Sequence, residues 1–189
     1  MTKASSLIIG ISGASGAIYG IRLLETLREA GVHTHAIISN NAKLTIAAET
    51  DYSLDQVKAL AGKVHNINDM AACISSGSHP ARGMIIAPCS MRSIGEIASG
   101  VTTTLITRTA DVTLKERRRL VLMTRETPLH LGHIRNMAAA TEIGAIIAPP
   151  VPAFYSKPGS LEEMVDHTVG RVLDMFDVEH ELVKRWEGM

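Results

Sequence analysis

Four short stretches carry the side chains with chemistry to offer. Gly10-Ile11-Ser12-Gly13-Ala14-Ser15-Gly16 intersperses glycines with hydroxyls just ahead of a helical pattern. Glycines there allow a tight turn and close approach of a ligand, and the amides opening the next helix attract an anion. The stretch therefore reads as a phosphate cradle, with a ligand-free helix-capping turn as the plain alternative. Ile38-Ser39-Asn40-Asn41 closes a second apolar run. It lacks the acid that a dinucleotide-binding fold uses for the ribose diol, which favours a mononucleotide; Ser39 serves equally well as an N-cap. Pro88-Cys89-Ser90-Met91-Arg92-Ser93 is another hydroxyl-bearing turn, and Arg125-Glu126 puts a charged pair at the end of a fourth apolar run.

The elements that must position these turns follow a repeating order. Leu7-Ile8-Ile9 is apolar throughout, as a strand covered on both faces requires. A helix is predicted from Ser15 to Ala30, with Ile18, Ile21, Leu24 and Leu27 on one face and Gly31 as its stop. A strand from His33 to Ser39, a helix from Lys43 to Ala48 and a Ser53-capped helix to Leu60 follow, then a polar surface stretch from Gly62 to Asp69. His79, beside Pro80 in a loop, reads as a surface histidine. A strand from Gly83 to Ala87 precedes a helical region from Ser93 to Arg118, broken near Gly100, on which Arg108 and Lys115 share a quadrant. A strand from Leu120 to Thr124, a helix from Leu131 to Ile143 and a strand from Gly144 to Ala148 lead into a stiff turn, Pro149 to Tyr155, with the character of a lid. A last helix runs from Ser160 to Phe176 and carries Arg171.

Strand and helix alternate throughout, so the expected fold is α/β: a doubly wound, Rossmann-like or flavodoxin-like parallel sheet flanked by helices on both faces. Residues 1–189 form one domain in this reading, with the helix and tail from about residue 160 packing at a subunit interface and Trp186 contacting a neighbour. At 189 residues and 46% hydrophobic, the chain has material for an ample core. Its 19 basic and 19 acidic side chains give no field for nucleic acid or an anionic membrane. No apolar run approaches the ~20 residues of a membrane span, and no signal-type start is present, so a cytoplasmic protein is expected. Cys73 and Cys89 form no CxxC pair, suit a reducing compartment and read as small buried hydrophobes.

Taken together, Gly10 to Gly16, Glu49-Thr50-Asp51, Ser76-Gly77-Ser78, Pro88 to Met91, Arg108 with Ala110-Asp111-Val112, Leu114 to Arg118, Arg125 to Leu129 and Pro149 to Tyr155 resemble the UbiX-type flavin prenyltransferases over nearly the whole chain. The resemblance implies transfer of a dimethylallyl group from dimethylallyl monophosphate to reduced FMN, giving prenylated FMN for a UbiD-type decarboxylase. It implies a homo-oligomer, a dodecamer, with FMN held where subunits meet, and a metal-independent reaction, in keeping with the missing aspartate-rich magnesium motif. By position, Gly13, Ala14, Ser15, Ser39, Ser90, Met91, Arg92, Ser93, Arg108, Arg125 and Trp186 would hold FMN. Lys115, Arg125, Tyr155 and Arg171 would bind the donor phosphate, and Glu49 and Glu126, with Ser15 and Lys115, would do the catalytic work. Asn40, where the family commonly has lysine, and Val101-Thr102-Thr103-Thr104 depart from its pattern.

A monophosphate is a poor, multiply charged leaving group, so several cations and a phenol must gather charge as the allylic bond breaks. Two rival readings share the fold: an FMN-dependent decarboxylase, whose Pro-x-Met-Asn clamp this chain lacks, and a non-enzymatic flavin carrier, which would have no use for Lys115, Glu126, Tyr155 and Arg171.

Overall fold

Apolar strands and capped helices alternate from Ser6 onward in the computed structural model, which describes residues 6–183, 185 and 188. β1 (Ser6–Ile11) leads into α1 (Ala17–Glu29), β2 (His33–Ile38), α2 (Asn40–Glu49) and α3 (Leu54–Leu60). β3 (Lys63–His65), β4 (Gly83–Cys89), α4 (Met91–Ala98), α5 (Leu105–Lys115) and β5 (Arg119–Thr124) come next. α6 (Leu131–Glu142), β6 (Ala145–Ile147) and α7 (Leu161–Asp174) complete the order. Single 3-10 turns lie at Cys73–Ser75 and Phe154–Ser156.

The strands pair in parallel in the order β3-β2-β1-β4-β5-β6. From β1 the chain first winds toward β3, then returns to β4 and winds the other way. Because crossovers are right-handed, that reversal puts the first helices on one face and the later ones on the other. The cores show it: Leu7, Ile9 and Ile11 pack with α1, α2 and α3, whereas Ile8, Met84 and Ile86 pack with α4, α5 and Ala140 of α6. α7 returns to the first face and buries Val165, Val169, Val172 and Leu173 there. The doubly wound sheet is as expected from sequence. Among the described residues no helix is long and apolar enough to cross a membrane.

The polar stretch from Gly62 to Asp69 contains one strand that was not anticipated, β3. It is a three-residue edge strand with Lys63 and Val64 exposed, too short and too polar outside to show an alternation.

Candidate functional site

Ligands of doubly wound sheets bind beyond the carboxyl ends of the strands where the winding reverses, here between β1 and β4. Ser12 joins those two ends. Its buried hydroxyl donates to the Pro88 carbonyl at 2.8 Å and accepts from the Ser90 amide at 2.8 Å. Beside it opens a cavity of about 410 Å3, walled by Gly13, Ser39, Asn40, Ser90, Arg92, Ser93, Thr104 and Thr107 among others. Ser39 and Ser90 cap α2 and α4, accepting from Ala42 and Ser93 amides, and still face the cavity. A larger cavity, about 660 Å3, lies at the opposite sheet edge among Arg82, Arg117, Arg119 and Phe176, away from every serine-bearing strand end.

The glycine turn holds an anion, but one from its own chain. Gly16 adopts the left-handed conformation (φ 99°), and its amide donates to Glu49 Oε2 at 2.7 Å; the Ala17 amide follows at 3.4 Å. The opening amides of α1 are thus engaged by a carboxylate from the end of α2, as a helix N-terminus favours. Ser12 and Gly13 of the same turn line the neighbouring cavity, where the further donors are hydroxyls. Ser15 is exposed and Ala14 half-buried on the same turn.

Arg125 and Glu126 leave β5 at this same edge, both exposed. The Arg125 amide donates to the Cys89 carbonyl at 3.1 Å, fixing the start of that turn against β4. Its guanidinium lies near enough to Tyr19 to oppose the rise that burial gives the phenol's pKa. Glu126 Oε1 accepts from the Thr127 amide at 3.0 Å.

The remaining anticipated residues lie on α5, on α7 and on the turn that precedes α7. Tyr155 is exposed, and its hydroxyl meets His167 Nε2 at 3.2 Å, with the rings edge to face. Arg171 lies four residues beyond His167 on the same side of α7, so Tyr155 and Arg171 share a flank. Arg171 pairs with Asp174 at 2.7 Å, and Asp174 also accepts from Arg185 and His180. Lys115 ends α5 and pairs with Glu116, while Arg108 sits two turns earlier, paired with Asp111 at 2.9 Å. Lys115 precedes β5 and Arg125 follows it, so six strand residues, roughly 20 Å at the usual rise, separate them. Within one chain Lys115 therefore does not join the Arg125 patch. Trp186 lies outside the described residues.

The Asp174 hub has a measurable signature. Hydrogen bonds from Arg185, and then His180, hold its carboxyl at about 2 against an ordinary 3.8. A depressed folded value means stabilisation that is fully present above the ordinary value and is lost as pH falls toward 2. Asp174→Asn is expected to lower the urea midpoint at neutral pH and to match the parent near pH 2.

Two sequence readings are corrected. Cys73 is exposed, because Ile74 takes the buried position of its 3-10 turn; Cys89 is buried, which pushes its thiol far up. His79, read as a surface histidine, is half-buried, with its Nε2 atom out of solvent. Arg118 grips the carbonyls of Gly77 and His79 at 2.7 Å each, drawing that loop inward, and the His79 ring packs edge-on against His35 at 4.8 Å between centroids.

Sequence reasoning did not pick out Glu96, Thr104 and Thr107. Glu96 accepts from Arg92 at 2.8 Å and Thr103 at 2.7 Å; burial alone would raise its pKa, but these bonds, with Thr107, hold it low. The signals were the i,i+4 spacing of Arg92 and Glu96 and the capping pair Thr104-x-x-Thr107. The departing Val101–Thr104 stretch thus supplies a helix cap and a cavity wall, and Asn40 supplies another.

A doubly wound sheet with a hydroxyl-lined crevice at its switch point, and no acid closing β2, is the architecture of an α/β protein that binds a mononucleotide. The family model described as Flavoprotein matches residues 1–186. Flavin prenyltransferase UbiX of Thauera aromatica is 55% identical over 182 residues, covering 96% of this chain and 94% of that one. AnUbiX, solved in complex with FMN and dimethylallyl pyrophosphate, superposes with a TM-score of 0.96 at 54% identity, covering 97% and 98% of the two chains. A dodecameric FMN-dependent UbiX-like decarboxylase from Escherichia coli O157:H7 gives a TM-score of 0.94 at 48% identity, covering 97% and 100%. The chain belongs to the UbiX-type flavin prenyltransferases.

Proposed function

We propose that this chain transfers a dimethylallyl group from dimethylallyl monophosphate to reduced FMN, and that the prenylated FMN is passed to a UbiD-type decarboxylase. The observation that carries the reading is the adjacency, at one sheet edge, of the hydroxyl-lined cavity and the Arg125-Glu126 pair. The donor set fits FMN: serine and threonine hydroxyls with Arg92 suit a phosphate and ribityl chain, in a volume usual for small-ligand sites. Gly13, Ala14, Ser15, Ser39, Ser90, Met91, Arg92 and Ser93 would hold it, with Arg108, Arg125 and Trp186 from flanking or neighbouring positions. Bound reduced FMN supplies the electron-rich ring that accepts the prenyl carbon.

The protein's own part is electrostatic and protic. Arg125 faces the developing charge of the leaving phosphate, and Tyr155, Arg171 and Lys115 add donors to it. Glu126 and Glu49, with Ser15, carry the protons: one to the departing phosphate, one from the flavin carbon at ring closure. Since Lys115 and Arg125 stand at opposite ends of β5 in one chain, copies of the chain assemble the phosphate site, one lending Lys115 and another Arg125. Exposed Leu129, Leu131, Ile134, Val151, Phe154 and Leu161 give those copies apolar surface to bury. A homododecamer built as one flavoprotein domain per chain, its C-terminal helix and tail at the interface, is the assembly this reading takes. Two cysteines without a disulfide suit the cytoplasm.

Anaerobic incubation with reduced FMN and dimethylallyl monophosphate, followed by mass analysis of released flavin, is expected to show a gain of one prenyl unit. Recovery of unmodified FMN from protein that binds it tightly would sink the proposal in favour of a carrier. The diphosphate, run in parallel, decides the donor.

A further inference from the structure

On the sheet face opposite α1, four histidines gather around β2, and none of them has a part in the proposed prenyl transfer. His35 is the third residue of β2, His65 ends β3 beside it, and His79 comes from the loop before β4. Cys73, on the 3-10 turn, completes the group; His33 stands at its rim. We propose that His35, Cys73 and His79 form a binding site for a zinc-like divalent cation.

Three observations converge. One donor atom from each of the three residues lies within 4.8 Å of the others. His35 Nδ1 meets His65 Nε2 at 2.9 Å, so when the Nδ1 proton is donated to His65, the Nε2 lone pair of His35 is left for a metal. Metal-binding histidines are oriented in this way by a partner on the other ring nitrogen. His79 Nε2 is buried with no hydrogen-bond partner, a costly state for a polar atom that a metal bond would relieve. The loop bearing His79 is held in place by Arg118 through the His79 and Gly77 carbonyls.

The donor chemistry selects the ion. Two imidazoles and a thiolate suit zinc or cobalt and not magnesium or calcium. Zinc–nitrogen and zinc–sulfur bonds of about 2.0–2.3 Å set tetrahedral donors roughly 3.3–3.7 Å apart, so the cluster closes by about an ångström on loading. Burial, with the nearby histidines and Lys63, lowers the His35 pKa to about 4 and lowers those of His65 and His79, keeping the imidazoles neutral and able to ligate. Lys63, His33 and Arg118 oppose a cation here and Asp69 favours one. The thiol of exposed Cys73 is the one donor that must lose a proton, so affinity rises with pH. Its exposed side leaves the fourth position to water.

The test is cobalt(II) titration of the full-length protein, reduced with a phosphine, followed by absorbance. A thiolate-to-cobalt charge-transfer band is expected, saturating at a single ion per chain and displaced by zinc but not magnesium. Cys73→Ser should abolish the band with the near-ultraviolet circular dichroism of the fold retained, and His79→Phe should weaken binding and the tetrahedral ligand-field bands. His65→Gln, which removes only the orienting partner, should weaken binding about 10–100-fold. A band that survives Cys73→Ser, or binding indifferent to His79→Phe, overturns the proposal. So does cobalt binding without a thiolate band that disappears in His133→Gln, which would place the ion on the stacked His130–His133 pair.

Discussion

Mixing two inactive variants, Lys115→Ala and Glu126→Gln, is expected to restore prenyl transfer that neither has alone. Each defect by itself should be severe. Losing a preorganised donor to a developing charge costs on the order of 100–1,000-fold. Losing a positioned proton carrier costs roughly 100–10,000-fold. Lys115 ends α5 at the amino edge of the sheet, whereas Glu126 follows β5 at the carboxyl edge. A side chain cannot span that strand, so a site that uses both takes them from different copies. In randomly mixed oligomers, roughly a quarter of such sites draw an intact Lys115 from one copy and an intact Glu126 from another, if the assembly is symmetric. Co-expression under two affinity tags, with purification through both, supplies the material. Arg125→Ala with Glu126→Gln is the control pair: both residues lie on one turn, so no mixed site is whole. Recovery in the first pair alone supports assembly between copies. Confirmed mixed oligomers without recovery would mean that Lys115 acts outside the site.

The same separation explains which parts of the site could be read from sequence. Residues on one turn after one strand are neighbours by necessity, so Gly13, Ser90 and Ser93, or Arg125 with Glu126, are legible from the apolar run before them. That the serine-bearing turns share one sheet edge is legible too, because strand–helix alternation makes the strands parallel; that the winding reverses between β1 and β4 is seen only in the pairing. Contacts between distant turns are not. Glu49 pairs with the Gly16 amide across 33 residues, and no local pattern announces that the α1 N-terminus is already capped. His35, His65 and His79 stand alone in separate polar or apolar runs, and only the pairing of β2 with β3 and the pull of Arg118 bring their rings together. β3 escaped notice for a related reason: its burial is made by neighbours and not by its own residues.

Gly20 tests how tightly the crevice depends on the packing of α1, and Gly20→Ala is expected to be strongly destabilising although it adds a single methyl. Two effects oppose each other. In a helix interior alanine gains roughly 0.5–1 kcal/mol over glycine. Against that, a Cβ at Gly20 would stand 2.3 Å from the Ala87 carbonyl oxygen and 2.9 Å from the Ile11 side chain. The carbonyl is backbone of the central strand β4, so the methyl can be accommodated only by lifting α1 from the sheet. Overpacking of a well-packed interior costs typically 1–3 kcal/mol, and with backbone as the obstacle the upper part of that range applies. The clash wins, and at roughly 2–4 °C per kcal/mol for a chain of this size Tm should fall by several degrees. The damage also reaches the site. Lifting α1 displaces the Gly16 and Ala17 amides from Glu49, and Ile11 adjoins Ser12, whose hydroxyl ties β1 to β4. FMN affinity should therefore fall together with Tm. Gly31→Asn is the control, since Gly31 has φ 67° and open space around it, a helix-end position that asparagine tolerates. An unchanged or raised Tm for Gly20→Ala, with Gly31→Asn neutral, would show that α1 has room to move and that the crevice does not depend on its close approach.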